Sequence, residues 1–594
     1  MELPKENGPA TTKPAAAPAI YHLAIDRFRG IKSLRWAPAP GVNVILGGGD
    51  VGKTTILDAI GLLLSPTNAT VVSDTDYYLR RDEDEFVIEA IIALPPGSGI
   101  SQLTRPAWPW NWDGTQALVP DHSDDGAPAG EPVYRLRVRG TSDLELTYEI
   151  VQPNGSPDSL PVALRRAIGL VRLSGDDRND RDLRLVQGSA LDRLLSDKGL
   201  RSRMASELAK SDVRSELGEE ARIALGALDT VFKLEKLPGD LDIAITGGQG
   251  ASVASLVGLT AKRETVQLPL ASWGAGTRRL SALTIAEQIQ GEAPVTLVDE
   301  VERGLEPYRQ RLLMAKLQAG SSQVFITTHS PAAVSAASLA RLWYVDHAGA
   351  IGPLDGKKVD ALRADDPEAF LARLTIVAEG ATEVGFVSVL LERALGTSLQ
   401  AHGIHIADGD GHESTIGILE ALADGGLSFG GFADDEQKHP DRWAALHRRL
   451  GTLLFRWKSG DIESNIIGAV AEHQLERLLS DPAGEKTGYR LRTLADRLGI
   501  SEKEFAQLQA RAGEGFRALM IEAAHGNVPV GKDALKKEYK NHAKTWFKSV
   551  AGGREIADKV FTLGLWPELK ADLLPFCNAV RTAAQLEPLD DLAP

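Results

Sequence analysis

Cysteine, methionine and aromatic residues are scarce in this sequence: one Cys, four Met, and Phe, Trp and Tyr together at 6% of 594 residues. The single thiol, Cys577, excludes an intramolecular disulfide and a cysteine-rich zinc centre. No apolar run reaches the roughly 18–20 residues that a bilayer span needs. The N-terminus lacks the apolar core of a secretory signal. Positive charge is also in deficit, with 66 Lys and Arg against 81 Asp and Glu, a net charge of −15. A protein that coats nucleic acid is normally basic throughout, so any nucleic acid must meet a local basic surface here. These absences predict a cytoplasmic protein with no membrane partner. What is present is ordinary globular composition, 43% hydrophobic and 25% charged, in a chain long enough for about three or four domains. Residues 1–19, rich in Pro and Ala, are predicted to be a disordered tail.

The strongest motif comes early. Gly41 to Leu46 reads as a buried strand running into Gly47-Gly48-Gly49-Asp50-Val51-Gly52-Lys53-Thr54, which fits G-x-x-x-x-G-K-[ST], and an apolar helix follows from Thr55 to Leu64. Strand, glycine loop and helix are the context a phosphate-binding loop requires. Gly47, Gly49 and Gly52 let backbone N–H groups wrap a phosphate chain, and the helix N-terminus adds positive dipole. Lys53 would reach the β- and γ-phosphates of ATP. Thr54 would hold Mg²⁺, with Thr55 beside it in the ATP-binding set. Far downstream, Pro294 to Val298 is a β-rich run ending in Asp299-Glu300. Asp299 would bind Mg²⁺ and Glu300 would polarise the attacking water. A further strand, Gln323 to Thr328, ends at His329, placed to contact a γ-phosphate and sense nucleotide state.

Between these lies Ala271-Ser272-Trp273-Gly274-Ala275-Gly276, opening a helix. It resembles the signature motif of ABC-type ATPases, in which Ser and Gly at a helix N-terminus close over the ATP of a second protomer. Ser272 and Gly274 stand in the expected order, while Trp273 and Ala275 depart from the usual S-G-G-Q form. The resemblance implies at least a dimer. The opening Ile25-Asp26-Arg27-Phe28-Arg29-Gly30-Ile31 resembles the first strand of SMC- and RecF-like members rather than transporters.

The expected organisation is an ATPase domain in two parts, 20–165 and 263–365, around a helical insert at 166–262. The insert is helical from Leu191 to about Lys236 and is a candidate dimerisation region. Glu85–Leu94 and Val133–Val151 alternate like antiparallel strands, and 95–131 between them reads as a loop. A second domain occupies 370–594.

In that domain Arg373–Ala378 is an apolar strand followed by Glu379-Gly380-Ala381-Thr382-Glu383 and an apolar helix. A second strand, Gly403–Ala407, ends at Asp408, and a third, Leu427–Ala433, ends at Asp434-Asp435-Glu436. Strand C-termini of a parallel sheet converge on one edge, so Glu379, Asp408, Asp434 and Glu436 should cluster. Such a cluster repels itself unless hard cations sit in it. Two cations about 4 Å apart could activate water and stabilise the leaving oxygen of a phosphodiester. Glu383 and Glu463 are further candidate ligands. Mg²⁺ is the expected ion, with Mn²⁺ or Ca²⁺ as alternatives. Lys532, Lys536, Lys540, Lys544 and Lys548 recur every four residues, a pattern that lines one helix face and could track a nucleic-acid backbone. Lys548, before Gly552-Gly553-Arg554, is the expected catalytic cation, with Glu379 and Asp434 as catalytic carboxylates. Lys536, Lys540, Lys544 and Arg554 are expected to bind DNA.

The carboxylate beside a glycine and the later D-x-D position, here Asp434 and Glu436, resemble the Toprim motifs of topoisomerases and primases. Glu436 replaces the second Asp. The whole is therefore read as α/β: an ABC-type ATPase with an inserted helical region, then a C-terminal Toprim domain with helical additions. That order resembles the OLD (overcoming lysogenisation defect) nucleases, particularly class two, which are similar to the nuclease component of the Gabija anti-phage system. The resemblance implies metal-dependent nicking or cleavage of DNA regulated by ATP, in anti-phage defence or DNA repair. It also implies a homodimer or higher homo-oligomer and a UvrD-like helicase as candidate partner. The alternative is a RecF/SMC-like DNA-repair ATPase without nuclease activity.

Overall fold

The computed structural model describes residues 17–68, 70–103, 105–120, 130–173, 181–186, 189–195, 213–245, 257–288, 294–481, 485–528 and 536–592. The chain divides into two compact units: Met1–Leu46 with Gly52–Trp343, and Gly47–Val51 with Tyr344–Pro594. The second unit thus begins ahead of the expected boundary at 365–370. Among the described residues no helix is long and apolar enough to cross a membrane.

The first unit opens with an antiparallel meander. Strand β1 (Ala19–Phe28) pairs with β2 (Ile31–Trp36) on one side. On the other it pairs with β4 (Phe86–Ala93), after β3 (Val42–Leu46) has left for a second sheet. The predicted tail falls outside the described residues up to position 16, and Ala19 already belongs to β1. In β1 and β4, Leu23, Ile25, Ile88 and Ala90 are buried, as alternation over a half-buried sheet dictates. The segment read as a loop contains two short strands, β5 (Trp110–Trp112) and β6 (Ala117–Leu118). They extend the sheet beyond β7 (Glu131–Gly140). Trp110 explains this: its ring is buried, Arg135 lies over it at 4.7 Å, and its indole N–H donates to the Val151 carbonyl at 2.9 Å. Strands β8 (Leu146–Val151) and β9 (Pro157–Ser159) complete the meander.

The second sheet of this unit is parallel. Strand β3, buried at every residue, lies beside β15 (Val324–Thr327), then β14 (Val295–Val298), then β10 (Leu170–Leu173). Parallel strands buried on both faces read as continuous apolar runs, which is how β3, β14 and β15 read. Strand β10 corrects the expected helical insert. Its four residues are too short a run to betray a period, yet they pair in register with Val295–Val298. The insert is mixed elsewhere too. The helix Glu219–Leu234 buries Ala221, Leu225, Leu228 and Phe232 at helical spacing. Strands β11 (Asp242–Ile245), β12 (Val257–Arg263) and β13 (Val266–Pro269) form an antiparallel sheet. The middle of the expected 191–236 helix, 196–212, lies outside the described residues.

Strands β16 (Arg341–Val345) and β17 (Ile351–Pro353) lead into the second unit. Its parallel sheet runs β19 (Ile404–Asp408), β18 (Leu374–Ala378), β20 (Gly430–Ala433), β21 (Leu454–Arg456). The central β18 is buried throughout. Phe432, Phe455 and Phe576 pack together beneath the sheet, with Phe432 and Phe455 stacked at 4.6 Å. Replacing such a ring by Ala typically costs about 3–5 kcal/mol. The helices Ala381–Leu395 and Val550–Thr562 cross at two glycines. A Cβ on Gly385 would stand 2.0 Å from the Val550 carbonyl oxygen, and one on Gly553 would stand 2.0 Å from that of Thr382. Only glycine allows this approach. The sole thiol, Cys577 on the helix Trp566–Ala583, is fully buried, and burial pushes it up to about 12.

Candidate functional site

Two groups of functional side chains are built, one in each unit. In the first, the phosphate loop ends on left-handed backbone at Gly52 (φ 98°). Gly52 starts the helix Lys53–Leu63. Lys53 is buried at its first position, while Thr54 is exposed and Thr55 half-buried. The Thr54 hydroxyl reaches Asp299 Oδ1 at 3.2 Å, and the Thr327 hydroxyl donates to the same oxygen at 2.6 Å. The end of β14 is thus tied to the phosphate-loop helix. Glu300 follows with positive φ and lies 3.3 Å from Arg303. Glu302, which sequence reading passed over, accepts from the Thr328 hydroxyl and the His329 N–H, each at 2.7 Å. Arg279 clamps the turn by donating to the carbonyls of Asp299 and Glu300. The His329 pKa is lowered by partial desolvation and then by Lys53. Ser272 is exposed, its hydroxyl donating to the Pro269 carbonyl at 2.7 Å, and Gly274 caps the helix Ala275–Glu287.

In the second unit the strand ends do converge. Glu379, Glu383, Asp408, Asp434, Glu436, Asp461 and Lys548 line one cavity of about 560 Å³. Glu379 follows β18 and accepts from the Asp434 N–H at 3.1 Å. Glu463 is fully buried on the helix Ile462–Ala469, with Lys548 Nζ 3.2 Å from its Oε1. Glu383 and Asp434 are also buried, whereas Asp408 is exposed and accepts from the Asp410 N–H. Electrostatics reflects the crowding. Burial, with Glu436 adding to it, raises Glu379 to about 7. Burial and neighbouring carboxylates raise Glu383 and Asp434 too. Burial works against charge on Lys548, but Glu463, Glu383, Asp461 and Asp434 outweigh it and hold the ammonium protonated.

The structure brings Lys548 to this cavity but parts it from the other lysines. The helix Lys536–Trp546 carries Lys536, Lys540 and Lys544 exposed along one side and ends before Lys548. Lys548 therefore does not extend that face; the chain turns it inward at Phe547. Lys532 lies outside the described residues. Arg554 lies 3.7 Å from Glu392 on the neighbouring helix, so its charge is partly compensated. Glycines 552 and 553, flagged for their place beside Lys548, serve close packing: a Cβ on Gly552 would meet the Phe547 carbonyl oxygen at 2.4 Å.

Three side chains here carried no sequence signal. Asp461 caps the helix Ile462–Ala469 by accepting from the Ser464 N–H at 2.8 Å, and its other oxygen lies 2.6 Å from His525 Nε2. That ion pair raises His525 and, against burial, lowers Asp461. His412, after the Asp408-Gly409-Asp410-Gly411 turn, faces Glu379 and Glu436. Two trios bring ligand atoms close enough to hold a cation: Glu379, His412 and Glu436; and Asp461, Glu463 and His525. Asp434 Oδ1 and Glu463 Oε2 are buried without a hydrogen-bonding partner among the described residues, while Glu463 Oε1 has the Lys548 ammonium beside it. An oxygen-rich donor set of this kind fits a hard divalent cation.

One comparison with known proteins falls within the first unit. Residues 148–335 match the family model described as "AAA domain, putative AbiEii toxin, Type IV TA system". The DNA replication and repair protein RecF of Shewanella baltica (strain OS155) is 33% identical over 88 residues, 15% of this chain and 24% of that protein. The chain thus spans about a quarter of the length of the curated relatives it matches. Among solved structures, an SMC head bound to the C-winged helix domain of ScpA has 17% identity and a TM-score of 0.35. It covers 58% of this chain and 99% of that one. RecF with ATPrS, of the RecFOR pathway, has 15% identity and a TM-score of 0.35, covering 57% and 99%. The chain contains an ATP-binding ATPase domain of ABC type, and 88 of its residues resemble RecF.

Proposed function

We propose that the second unit is a Toprim-type, metal-dependent DNA endonuclease regulated by the ATPase domain, as in class-two OLD nucleases. The observation that carries this reading is the single cavity lined by carboxylates from several strand ends, faced by Lys548 and holding the buried Asp434 Oδ1 without a hydrogen-bonding partner among the described residues. Glu379, Glu383, Asp434 and Glu463 would hold the divalent cation, Mg²⁺ or Mn²⁺. The cation supplies charge that activates water and stabilises the leaving oxygen of a phosphodiester. Lys548, kept protonated by its neighbours, presents a fixed positive charge toward the same space and suits a phosphate oxygen. The exposed face of Lys536, Lys540 and Lys544 would contact the DNA backbone. Lys53, Thr54 and Asp299 would hold ATP and Mg²⁺, while Ser272 and Gly274 would serve the nucleotide of a second copy. On this reading the protein is a cytoplasmic homo-oligomer of anti-phage defence or DNA repair, with a UvrD-like helicase as candidate partner.

Nicking of supercoiled plasmid with Mg²⁺ or Mn²⁺, and an ATP titration, tests this. Glu379→Ala and Asp434→Ala should each lower nicking about a hundredfold or more, at least the upper end of what losing an outer partner of a metal site causes, and leave ATP hydrolysis nearly unchanged. Lys53→Ala should abolish ATP hydrolysis. Absence of metal-dependent nicking by the wild type, with or without ATP, would instead favour a RecF/SMC-like ATPase whose C-terminal unit only binds.

A further inference from the structure

Two imidazoles, His412 and His525, stand within the two carboxylate trios that could hold a cation, and they are differently engaged. His525 Nε2 sits 2.6 Å from Asp461 Oδ2 and is held in that ion pair. His412 has no such engagement. It is 7% exposed, and neither of its ring nitrogens has a hydrogen-bonding partner among the described residues. Its Nδ1 faces Glu379 Oε2 at 3.7 Å and Glu436 Oε2 at 4.0 Å.

These separations are too long for hydrogen bonds. They suit two donors of one ion: groups each roughly 2.1 Å from a shared cation stand at most roughly 4.2 Å apart. The ring is also fixed in place, with Trp443 edge-on at 5.6 Å and His439 stacked at 6.0 Å. A buried imidazole without a partner is unfavourable, and a cation on Nδ1 would relieve it.

We propose that His412 Nδ1 joins Glu379 and Glu436 in a cation site that selects manganese(II) over magnesium and calcium. Magnesium and calcium take oxygen donors; manganese shares their preference for carboxylates but also stands at the start of the first-row series that binds mixed nitrogen and oxygen sites, so an imidazole beside two carboxylates penalises it least of the three. His412 is thereby the specificity-determining residue of the trio it forms with Glu379 and Glu436. The inference rests on the reading of that cavity as a metal-dependent nuclease site, but its test does not.

The full chain is titrated with Mn²⁺ while electron paramagnetic resonance follows free ion, and electron spin echo modulation of the bound ion reads coordinated ¹⁴N. The wild type should show directly bound nitrogen. His525→Asn should keep it. His412→Asn should lose it, with Mn²⁺ affinity falling at least about tenfold, the low end for loss of even an outer partner of a metal site, and Mg²⁺ affinity changing far less. No nitrogen coupling in the wild type overturns the proposal whether or not any variant folds. So does a coupling that survives His412→Asn or vanishes in His525→Asn. Nitrogen coupling without plasmid nicking would support this site and sink the nuclease reading; nicking without nitrogen coupling would do the reverse.

Discussion

Asp299 in the ATPase domain and Asp434 in the second unit are equally buried, each 8% exposed, and are kept in opposite company. Asp299 Oδ1 is met by the hydroxyls of Thr327 and Thr54. Asp434 Oδ1 has no hydrogen-bonding partner among the described residues, and burial with Glu383 and Glu379 raises its pKa. The first carboxylate is held ready by neutral donors. The second belongs to a concentration of carboxylates that Lys548 balances only in part. Glu555, in the same unit as Asp434, gives the intermediate case: Arg490 lies 2.6 Å away and Lys559 2.9 Å away. The difference teaches that burial alone does not make a carboxylate functional. What separates a structural acid from a candidate metal ligand is whether the chain supplies its counterpart.

The comparison can be broken in order of expected effect. Glu555→Ala should destabilise the second unit most, by about 3–5 kcal/mol, because it strands the fully buried Arg490; urea unfolding measures it. Burial opposes the charge on Glu555, but Arg490 and Lys559 outweigh it and hold the carboxyl at about 2, below its usual 4.5. Its contribution should therefore be complete above about pH 4.5 and disappear as pH falls toward 2. The stability gap between wild type and Glu555→Gln should narrow over that window. Asp434→Asn should do the opposite in EDTA and stabilise the protein by about 1 kcal/mol, a rise of roughly 2–4 °C in Tm. Asp299→Asn should give no such rise. Equal shifts in the two variants would remove the distinction drawn above. The smallest effect belongs to the exposed lysines: each of Lys536→Ala, Lys540→Ala and Lys544→Ala should lower the salt dependence of DNA binding by about one unit of slope. Unchanged slopes would take DNA off that face.

Much of the architecture could be read before any coordinates. Runs such as VNVIL and LTIVA announce buried parallel strands, and chemistry-bearing residues stand at their ends. The phosphate loop is legible because its glycines, lysine and threonine are consecutive. The cavity of the second unit was most legible where a carboxylate closes a strand, as at Glu379 and Asp434; Glu383, Glu463 and Lys548 were named as well, without a strand end to mark them. His412, Asp461 and His525 carry no such marker. Their meeting depends on a turn, a helix cap and a distant helix end, none of which has a fixed spacing. The lysine series misled for the converse reason: period four persists through 548, but the helix stops at Trp546. Strand β10 was missed because four residues show no period, and the Trp110 strand because proline and tryptophan around it read as loop.

Cys577 has one further consequence. Thiol reagents attack the thiolate, and this sulfur is enclosed and held protonated at neutral pH. Its modification must wait for the C-terminal helix to open. The rate at which a chromogenic disulfide reacts with the unaltered protein is therefore a clock for that opening, and slowing of the clock by an added divalent ion would report occupancy without any engineered label.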